Sequence, residues 1–316
     1  MDLSIIIVNW NSKDYLRKCL ASVLAETCNL TCEIIVIDSA SFDGCDKLLR
    51  NEYPQVLFIQ SLENLGFSRS NNMAFQSATG ESVLFLNPDT EVVGSAINVL
   101  HSALKGLPNA GAVGGKLLNT DRTVQTSCIQ AFPTIVNQLL DAESLRRRFP
   151  RSRLWGMSPL FDAGTKPREV EAISGACVML PRALLQQIGV FSEDYFMYAE
   201  DIDLAYKISR SGYKCYYVPN ATVVHHGGGS SQVAPSNFSN VMMRESIWLF
   251  FKKTRGRCYG LAYRTSMLVS AIVRMSGLLV LLPFLPALRK TSPQMASFRK
   301  WNAILSWSLL GVKAGR

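Results

Sequence analysis

At 316 residues the chain is long enough for one large domain, or one domain with an appendage, and its 48% hydrophobic content supplies a substantial core. Its net charge of +9 is unevenly placed: from Arg244 onward there are 13 Lys and Arg against one acidic residue, Glu245, whereas residues 1–243 hold 20 basic and 23 acidic side chains. That distribution excludes nucleic acid as a partner of the body and points the basic tail at an anionic surface. The eight cysteines are scattered with no Cys-x-x-Cys pair, the usage of reduced, apolar thiols. Met1-Asp2-Leu3-Ser4 has no basic n-region and runs straight into a strand, so no signal peptide is expected.

Leu3 to Val8 is a β-branched run that predicts a strand buried on both faces, ending at Asn9-Trp10-Asn11-Ser12. Residues 13–25 read as an amphipathic helix, with Tyr15, Leu16, Leu20, Val23 and Leu24 on one side. Glu33 to Ile37 is a second strand closing on Asp38, and Ser39 to Gly44 turns into a helix over 45–51. Val56 to Gln60 is a third strand, followed by Asn64-Leu65-Gly66-Phe67 and a helix over 69–78. Val83 to Leu86 is a short buried strand that Pro88 must stop, because proline has no N–H for a ladder. Strands alternating with helices at this spacing predict an α/β fold with a doubly wound, mostly parallel sheet and helices on both faces.

Ligands of such sheets bind outside the carboxyl ends of the strands. Asn9, Asp38, Asn64 and Asp89 each follow a strand, so they gather along one edge where a nucleotide would sit. A carboxylate on so stiff a support suits a divalent cation that carries phosphates. Asn87-Pro88-Asp89-Thr90 reads equally as a turn with an Asp cap.

Farther on, 93–104 read as a helix and 111–118 as a strand. Periodicity is poor from Asp121 to Glu171, the mark of a long, partly helical loop, and its Arg146, Arg147, Arg148, Arg151 and Arg153 form a solvated or acceptor-facing surface. Ala172 to Leu180 is apolar and holds Ser174-Gly175-Ala176. Tyr195, Phe196 and Tyr198 precede Glu200, Asp201 and Asp203 at the start of a helix over 201–211, capped by Gly212. Carboxylates at a helix N-terminus complement its dipole, which accounts for Asp203 as readily as a functional role does. Asp201 follows an aromatic run that would wall a pocket; desolvation raises a carboxylate's pKa there while the dipole lowers it, the setting of a general base. A strand over Lys214–Val218 and the run Val223-Val224-His225-His226-Gly227 close the domain. Two of the three histidines thus open a Gly-rich loop where backbone approaches a ligand closely, which makes one of them a candidate ligand for metal or phosphate.

The ordered set Ile5-Ile6-Ile7-Val8-Asn9-Trp10-Asn11, Val36-Ile37-Asp38-Ser39-Ala40-Ser41-Phe42-Asp43-Gly44, Asn64-Leu65-Gly66-Phe67 with Asn71-Asn72, Leu86-Asn87-Pro88-Asp89, Ser174-Gly175-Ala176, Phe191 with Phe196, Glu200-Asp201-Ile202-Asp203 and His225-x-x-Gly228-x-Ser230 resembles the inverting family-2 glycosyltransferases of GT-A fold. Within them it is most similar to the bacterial rhamnosyltransferase-like branch, over about residues 3 to 258. The resemblance implies a nucleotide-diphospho-sugar donor, with dTDP-rhamnose as the branch's sugar, and a lipid-linked glycan acceptor in cell-surface polysaccharide synthesis. It assigns donor binding to Asn9, Asn11, Asp38, Asn64, Asn72 and Asn87, and Mg²⁺ or Mn²⁺ to Asp89 and His225; Arg69 is a further donor-binding candidate, placed to reach the diphosphate. It makes Asp201 the base that takes the acceptor's proton, with Glu200 and Asp203 beside it. The chain departs from the family in having Asn87-Pro88-Asp89 for the fuller Asp-x-Asp and Ser39 for the usual Asn, and in placing Arg69 where a small residue is common. Two other classes use similar parts. A nucleotidyltransferase would carry a Gly-rich triphosphate loop with Lys or Arg at the first strand, where this chain has Asn9-Trp10-Asn11; a non-catalytic glycan-binding or assembly subunit would tolerate loss of Asp89 or Asp201.

Composition divides the chain into a catalytic domain over 1–257 and a basic, hydrophobic, helical tail over 258–316. The tail's uncharged apolar runs, Thr265 to Val273 and Met275 to Leu288, are each shorter than the roughly 20 residues a span requires. They are separated by Arg274, and an Arg at a bilayer centre costs about 2.5–3.5 kcal/mol. Pro283 and Pro286 would bend or break one long helix. The expectation is a pair of helices lying on the cytoplasmic face of the cell membrane, with Lys252, Lys253, Arg255, Arg257, Arg289, Lys290, Arg299 and Lys300 over anionic headgroups and Trp301 and Trp307 at headgroup level. Packing on the catalytic domain, or in a homo-oligomer on a second subunit, is the other use of such helices.

Overall fold

The computed structural model describes residues 1–26, 29–162, 164–227, 238–281 and 293–311. Contacts divide the chain into two compact units. The first holds Met1–Phe132, Arg146–Phe196 and Glu200–Gln232; the second holds Pro133–Leu145, Met197–Ala199 and Val233–Arg316. The second unit therefore starts upstream of the compositional boundary at 257.

In the first unit the elements run β1 (Leu3–Asn9), α1 (Lys13–Glu26), β2 (Cys32–Ser39), α2 (Cys45–Glu52), β3 (Leu57–Ser61), α3 (Gly66–Phe75), β4 (Ser82–Leu86), β5 (Thr90–Val93), α4 (Ala96–Gly106) and β6 (Ala110–Leu118). They continue through β7 (Ile129–Gln130), then, after α5 (Ile135–Leu139) of the second unit and α6 (Glu143–Arg148), β8 (Arg168–Val170), β9 (Ala172–Ile173), β10 (Cys177–Pro181), α7 (Arg182–Ile188), α8 (Glu200–Arg210) and β11 (Lys214–His225). A nine-stranded mixed sheet has the order β3-β2-β1-β4-β10-β6-β11-β5, with β8 also on β11; β7 and β9 make a separate pair. The β3-β2-β1-β4 block is parallel throughout, as the alternation of strands and helices predicts. β1 is buried along nearly its whole length, which is why its sequence reads as a continuous apolar run.

Three local differences from the sequence expectations have clear causes. The helix expected from residue 93 begins at Ala96, because Thr90–Val93 is extended and pairs with the end of β11, and Gly94 (φ 57°) turns the chain between strand and helix. The apolar stretch 172–180 is two strands, and β10 runs antiparallel between β4 and β6. The strand expected over 214–218 continues through the following run to His225, with a register shift between Val218 and Thr222 that accommodates Pro219 where no ladder N–H is needed.

Register fixes the functional edge. Asn9 lies opposite Asp38, Ile7 opposite Leu86, Leu86 opposite Cys177, and Thr90 opposite His225. The ends of β1, β2, β4 and β11 and the start of β10 therefore share one border of the sheet.

The second unit is helical: α5, α9 (Phe238–Arg255), α10 (Arg257–Leu281) and α11 (Pro293–Leu310) pack together. Phe250, Phe251, Tyr263, Met267, Ile304 and Trp307 are its buried centre. Trp301 and Trp307, expected at headgroup level, are instead 7% and 1% exposed. The Trp307 indole N–H donates to Glu245 Oε2 at 2.6 Å, and the Arg274 guanidinium lies 4.6 Å over the Trp301 ring. Arg264 donates to the Trp307 and Ser308 carbonyls, which satisfies the last turn of α11. No helix among the described residues is long and apolar enough to cross a membrane. α10 keeps an exposed stripe, with Leu261, Val269, Ile272 and Val273 each about half or more accessible. Pro283, Pro286, Gly228, Ser230, Arg289 and Lys290 lie outside the described residues.

Candidate active site

At the β1–β2 end the chain builds a buried polar network. Asp38, fully buried, accepts from Asn9 Nδ2 at 2.8 Å, Gln60 Nε2 at 2.8 Å, the N–H groups of Ser41 and Phe42 at 3.1 and 3.2 Å, and the Ser41 hydroxyl. Burial pushes this carboxyl up, but the hydrogen bonds from Ser41, Gln60 and Asn9 outweigh it and hold the group below the usual carboxylate range. Asn9 Nδ2 also reaches Ser41 Oγ at 3.1 Å and Asp43 at 3.2 Å. Asn9 and Asp38 thus form the support beneath this edge, while Asn11, exposed in a left-handed conformation (φ 51°), and the half-buried Asp43 are its accessible members.

Asp38, Asp43 and Cys45 bring ligand-type atoms within 4.8 Å of one another. This group could hold a metal ion; an Asn9 amide bridges its two carboxylates, and burial, then the Asp38 and Asp43 charges, push the Cys45 thiol well up.

The next strand end gathers a better donor set. Asn87 N–H donates to Ala176 O at 2.9 Å, which fixes the loop after β4 against the loop before β10. Asp89 is 7% exposed, and His226 N–H donates to its carbonyl at 2.9 Å. β5–β11 pairing delivers His225 to the same place: its Nε2 is 3.3 Å from Asp89 Oδ1 and 3.3 Å from Asn87 Nδ2. A carboxylate oxygen and an imidazole nitrogen converging at this distance are a donor pair that fits a divalent cation. His226 is committed elsewhere, with Nε2 on Glu91 Oε1 at 2.7 Å, Nδ1 on Thr120 Oγ1 at 3.1 Å and its ring 5.5 Å from that of Tyr15.

The third part is the start of α8. Gly175, two residues before β10, donates its N–H to Asp201 Oδ2 at 3.0 Å, and Ile202 N–H donates to Oδ1 at 2.8 Å. Gly175 lies against Asp201 and Phe67, where a Cβ would make ordinary contacts at 3.5 Å to Asp201 Cβ and 3.4 Å to Phe67. Gly66 (φ 70°) seats the aromatic run: a Cβ there would come 2.6 Å from Phe196 O. Burial raises the Asp201 carboxyl against those two N–H bonds. Burial, then the Asp201 charge, push Glu200 up to about 8, and Glu200 Oε2 is buried with no hydrogen-bond partner among the described residues. Two backbone N–H groups support a negative charge on Asp201, whereas Glu200 has only burial and a neighbouring carboxylate, so the two environments favour Asp201 as the anion of the pair.

Other expected members are placed differently. Asp203 is 3% exposed and accepts from Ser192 Oγ at 2.5 Å and Tyr195 Oη at 3.1 Å, so it holds the aromatic loop in shape. Asn72 donates to Phe191 O at 2.8 Å and accepts from Phe191 N–H at 3.0 Å, a staple away from the strand ends. Asn64 Oδ1 accepts from Gly66 N–H at 3.0 Å and the Ser39 hydroxyl at 3.3 Å and shapes the entry to α3. Arg69 is exposed, with Glu193 3.7 Å away. Gln60 and Gln125 were not foreseen; nothing in their local sequence marks them, and only strand pairing brings them to Asp38 and His225.

The sequence profile described as "Glycosyl transferase family 2" matches residues 4–189, more than half of the chain, and "Glycosyl transferase family group 2" matches 142–311. The chain belongs to glycosyl transferase family 2. This family-2 glycosyltransferase is 28% identical over 246 residues to the N-acetylglucosaminyl-diphospho-decaprenol L-rhamnosyltransferase of Mycobacterium tuberculosis, covering 74% of this chain and 79% of that protein. It is 23% identical over 238 residues to the rhamnosyltransferase WbbL of Escherichia coli (strain K12), 70% of this chain and 82% of that one. The solved mannosyltransferase PcManGT from Pyrobaculum calidifontis, in complex with GDP-Man and Mn²⁺, superposes with a TM-score of 0.56 at 18% identity over 98% of this chain and 87% of that chain. That likeness establishes the GT-A fold of the glycosyltransferase.

Proposed function

We propose that this enzyme is an inverting, cation-assisted glycosyltransferase that moves a sugar, with rhamnose from dTDP-rhamnose as the first choice, from a nucleotide diphosphate to a lipid-linked glycan. The observation that carries the reading is the shared border: Asp89 with His225 Nε2 at one strand end, and Asp201 held by Gly175 N–H beside it. The nucleoside lies over Asn11, the loop 39–44 and their Asn9–Asp38 support, and the diphosphate reaches Asp89 and His225. A cation bound there would neutralise the charge that develops on the leaving diphosphate. Asp201 takes the proton of an acceptor hydroxyl whose oxygen bonds to the anomeric carbon as the bond to the diphosphate oxygen breaks. One displacement of this kind inverts the anomeric configuration, as in one-step hydrolysis. The names of the two rhamnosyltransferase relatives support the sugar, and that of the mycobacterial one supports a polyprenyl-diphosphate acceptor. A panel of nucleotide-sugars with Mn²⁺ is the test. dTDP-rhamnose is expected to raise the melting temperature most and to be hydrolysed slowly without acceptor; stabilisation by a UDP- or GDP-sugar alone overturns the donor.

A lipid-linked acceptor places the enzyme at a membrane surface, on the cytoplasmic side where nucleotide-sugars are made. The exposed stripe Leu261, Val269, Ile272 and Val273 on α10, with Lys252, Lys253, Arg255 and Arg257 exposed before it, supports an interfacial contact. Each basic group adds about 1 kcal/mol near an anionic leaflet. The full chain is expected to float with phosphatidylglycerol liposomes at low salt and to be partly released by high salt, and a Val269→Glu, Ile272→Glu, Val273→Glu variant to stay at the bottom. Equal flotation of the two proteins removes the stripe from the account.

A further inference from the structure

Asp121 begins a chain of hydrogen bonds in the turn after β6. Its Oδ1 accepts from the Thr123 hydroxyl at 2.6 Å and from Thr123 N–H at 3.0 Å. These two bonds, the side-chain one first, hold the Asp121 carboxyl below its ordinary value, so it is ionised and only accepts. The single Thr123 hydroxyl proton points at Asp121, and the same oxygen accepts from Asn119 Nδ2 at 2.9 Å. The Asn119 carboxamide therefore presents Oδ1 to Gln125, which donates through Nε2 at 3.3 Å. Gln125 then turns Oε1 toward His225 Nδ1, 2.8 Å away. An amide oxygen has no proton to give, so the proton of this bond is on Nδ1, and in the tautomer this selects the lone pair is on Nε2. The turn itself is held by Gln125 N–H to Leu117 O at 2.9 Å, Asn119 N–H to Thr123 O at 2.8 Å and a Leu118–Val124 bridge.

We propose that Asp121, Thr123, Asn119 and Gln125 form a one-way relay that fixes His225 in its Nδ1–H tautomer and so presents the Nε2 lone pair to a divalent cation at Asp89. Gln125 is a positioning residue, acting only through His225. Its partners inside the relay are uncharged amides and a hydroxyl, oriented from the Asp121 anion at the exposed end; at the other end Nε2 faces the Asp89 carboxylate at 3.3 Å, which favours a proton there, and Asn87 Nδ2 at 3.3 Å, a donor that favours a bare Nε2. Neutral imidazole in water prefers the opposite tautomer, with the proton on Nε2, which would turn an N–H toward the cation. The proposal rests on the cation assignment of the preceding subsection, and the two are separable by experiment.

The full-length, metal-free protein labelled with ¹⁵N-histidine has only three imidazoles to resolve, His101, His225 and His226. Two-bond ¹H–¹⁵N correlations, with His225→Ala to assign the signal, are expected to show Nδ1 protonated and Nε2 bare in His225. Gln125→Leu is expected to move the proton to Nε2, Thr123→Val to do so in part, and Gln125→Glu, which still accepts, to leave it on Nδ1. Mn²⁺ titration in the presence of dTDP, read by the paramagnetic signal of the free ion, is expected to be about 10- to 100-fold weaker for Gln125→Leu, the usual effect of losing an outer partner of a ligating histidine. Turnover at saturating Mn²⁺ should change much less, and Gln125→Glu should restore the affinity. An Nε2–H tautomer in the wild type, or a Gln125→Leu variant with unaltered tautomer and Mn²⁺ affinity, overturns the relay. Should His225→Ala bind Mn²⁺ as tightly as wild type, the cation assignment falls while the tautomer result stands by itself.

Discussion

Asp201→Asn is expected to leave the fold and donor affinity intact and to lower sugar transfer by about 10²- to 10⁴-fold, the usual cost of losing a positioned base. The asparagine keeps one oxygen for the Gly175 or Ile202 N–H and turns its NH₂ to the other, so the penalty to stability is that of one buried donor left without an acceptor, about 1–3 kcal/mol. What it cannot do is accept a proton. Single-turnover transfer with saturating donor isolates this step, and near-full turnover with unchanged metal dependence would remove Asp201 from the role. Glu200→Gln is the companion measurement. The folded Glu200 carboxyl sits near 8, above its ordinary 4.5, so between those values the folded protein binds more protons than the unfolded chain. Stability from this group is complete below about 4.5 and is lost as pH rises through about 8. Melting temperatures of wild type should therefore fall across that window, and those of Glu200→Gln should fall less.

The second large effect runs through Asp89. Excess chelator is expected to stop transfer and Mg²⁺ or Mn²⁺ to restore it, and Asp89→Ala should lose several kcal/mol of leaving-group stabilisation, about 10²-fold or more in rate. His225→Ala should lose less, because a carboxylate brings charge to the cation and an imidazole only a lone pair. With Asn87 in place of a second acid, Asp89 is the one carboxylate of this short motif, so no neighbour in it can substitute. Full activity in excess chelator would show that transfer proceeds without a cation.

The strand ends were legible because β1, β2 and β4 are nearly pure apolar runs, each closed by a polar residue, and a parallel block leaves such residues on one border. Asp201 was legible for a different reason: acidic residues crowd the helix start behind an aromatic run. Asp203, two positions later, carries the same local signal and serves the Tyr195 loop instead, since a helix turns successive side chains to different sides. Asn72 looked like a donor contact and is a staple to Phe191, a partner 119 residues away that no local pattern announces. Gln125 was hidden for the same reason. It lies in a stretch without periodicity, and only the pairing of β11 with β5 and β6 sets His225 beside it. Trp301 and Trp307 show the converse error, since aromatic residues in a basic helix read as surface anchors when the helices have their own core to fill.

The position of β10 has a consequence for biosynthesis. The first four-stranded block is complete in sequence at Leu86, but the strand that covers its β4 side is Cys177–Pro181, about 95 residues later. At translation rates of about 5–20 residues per second, that interval lasts roughly 5–20 s. Throughout it the emerging chain carries a buried-type strand, Ser82–Leu86, with an open row of N–H and C=O groups on one side. Nascent chains of this protein are therefore expected to present this open strand edge to intermolecular pairing, and to chaperones, between the synthesis of residue 86 and that of residue 181.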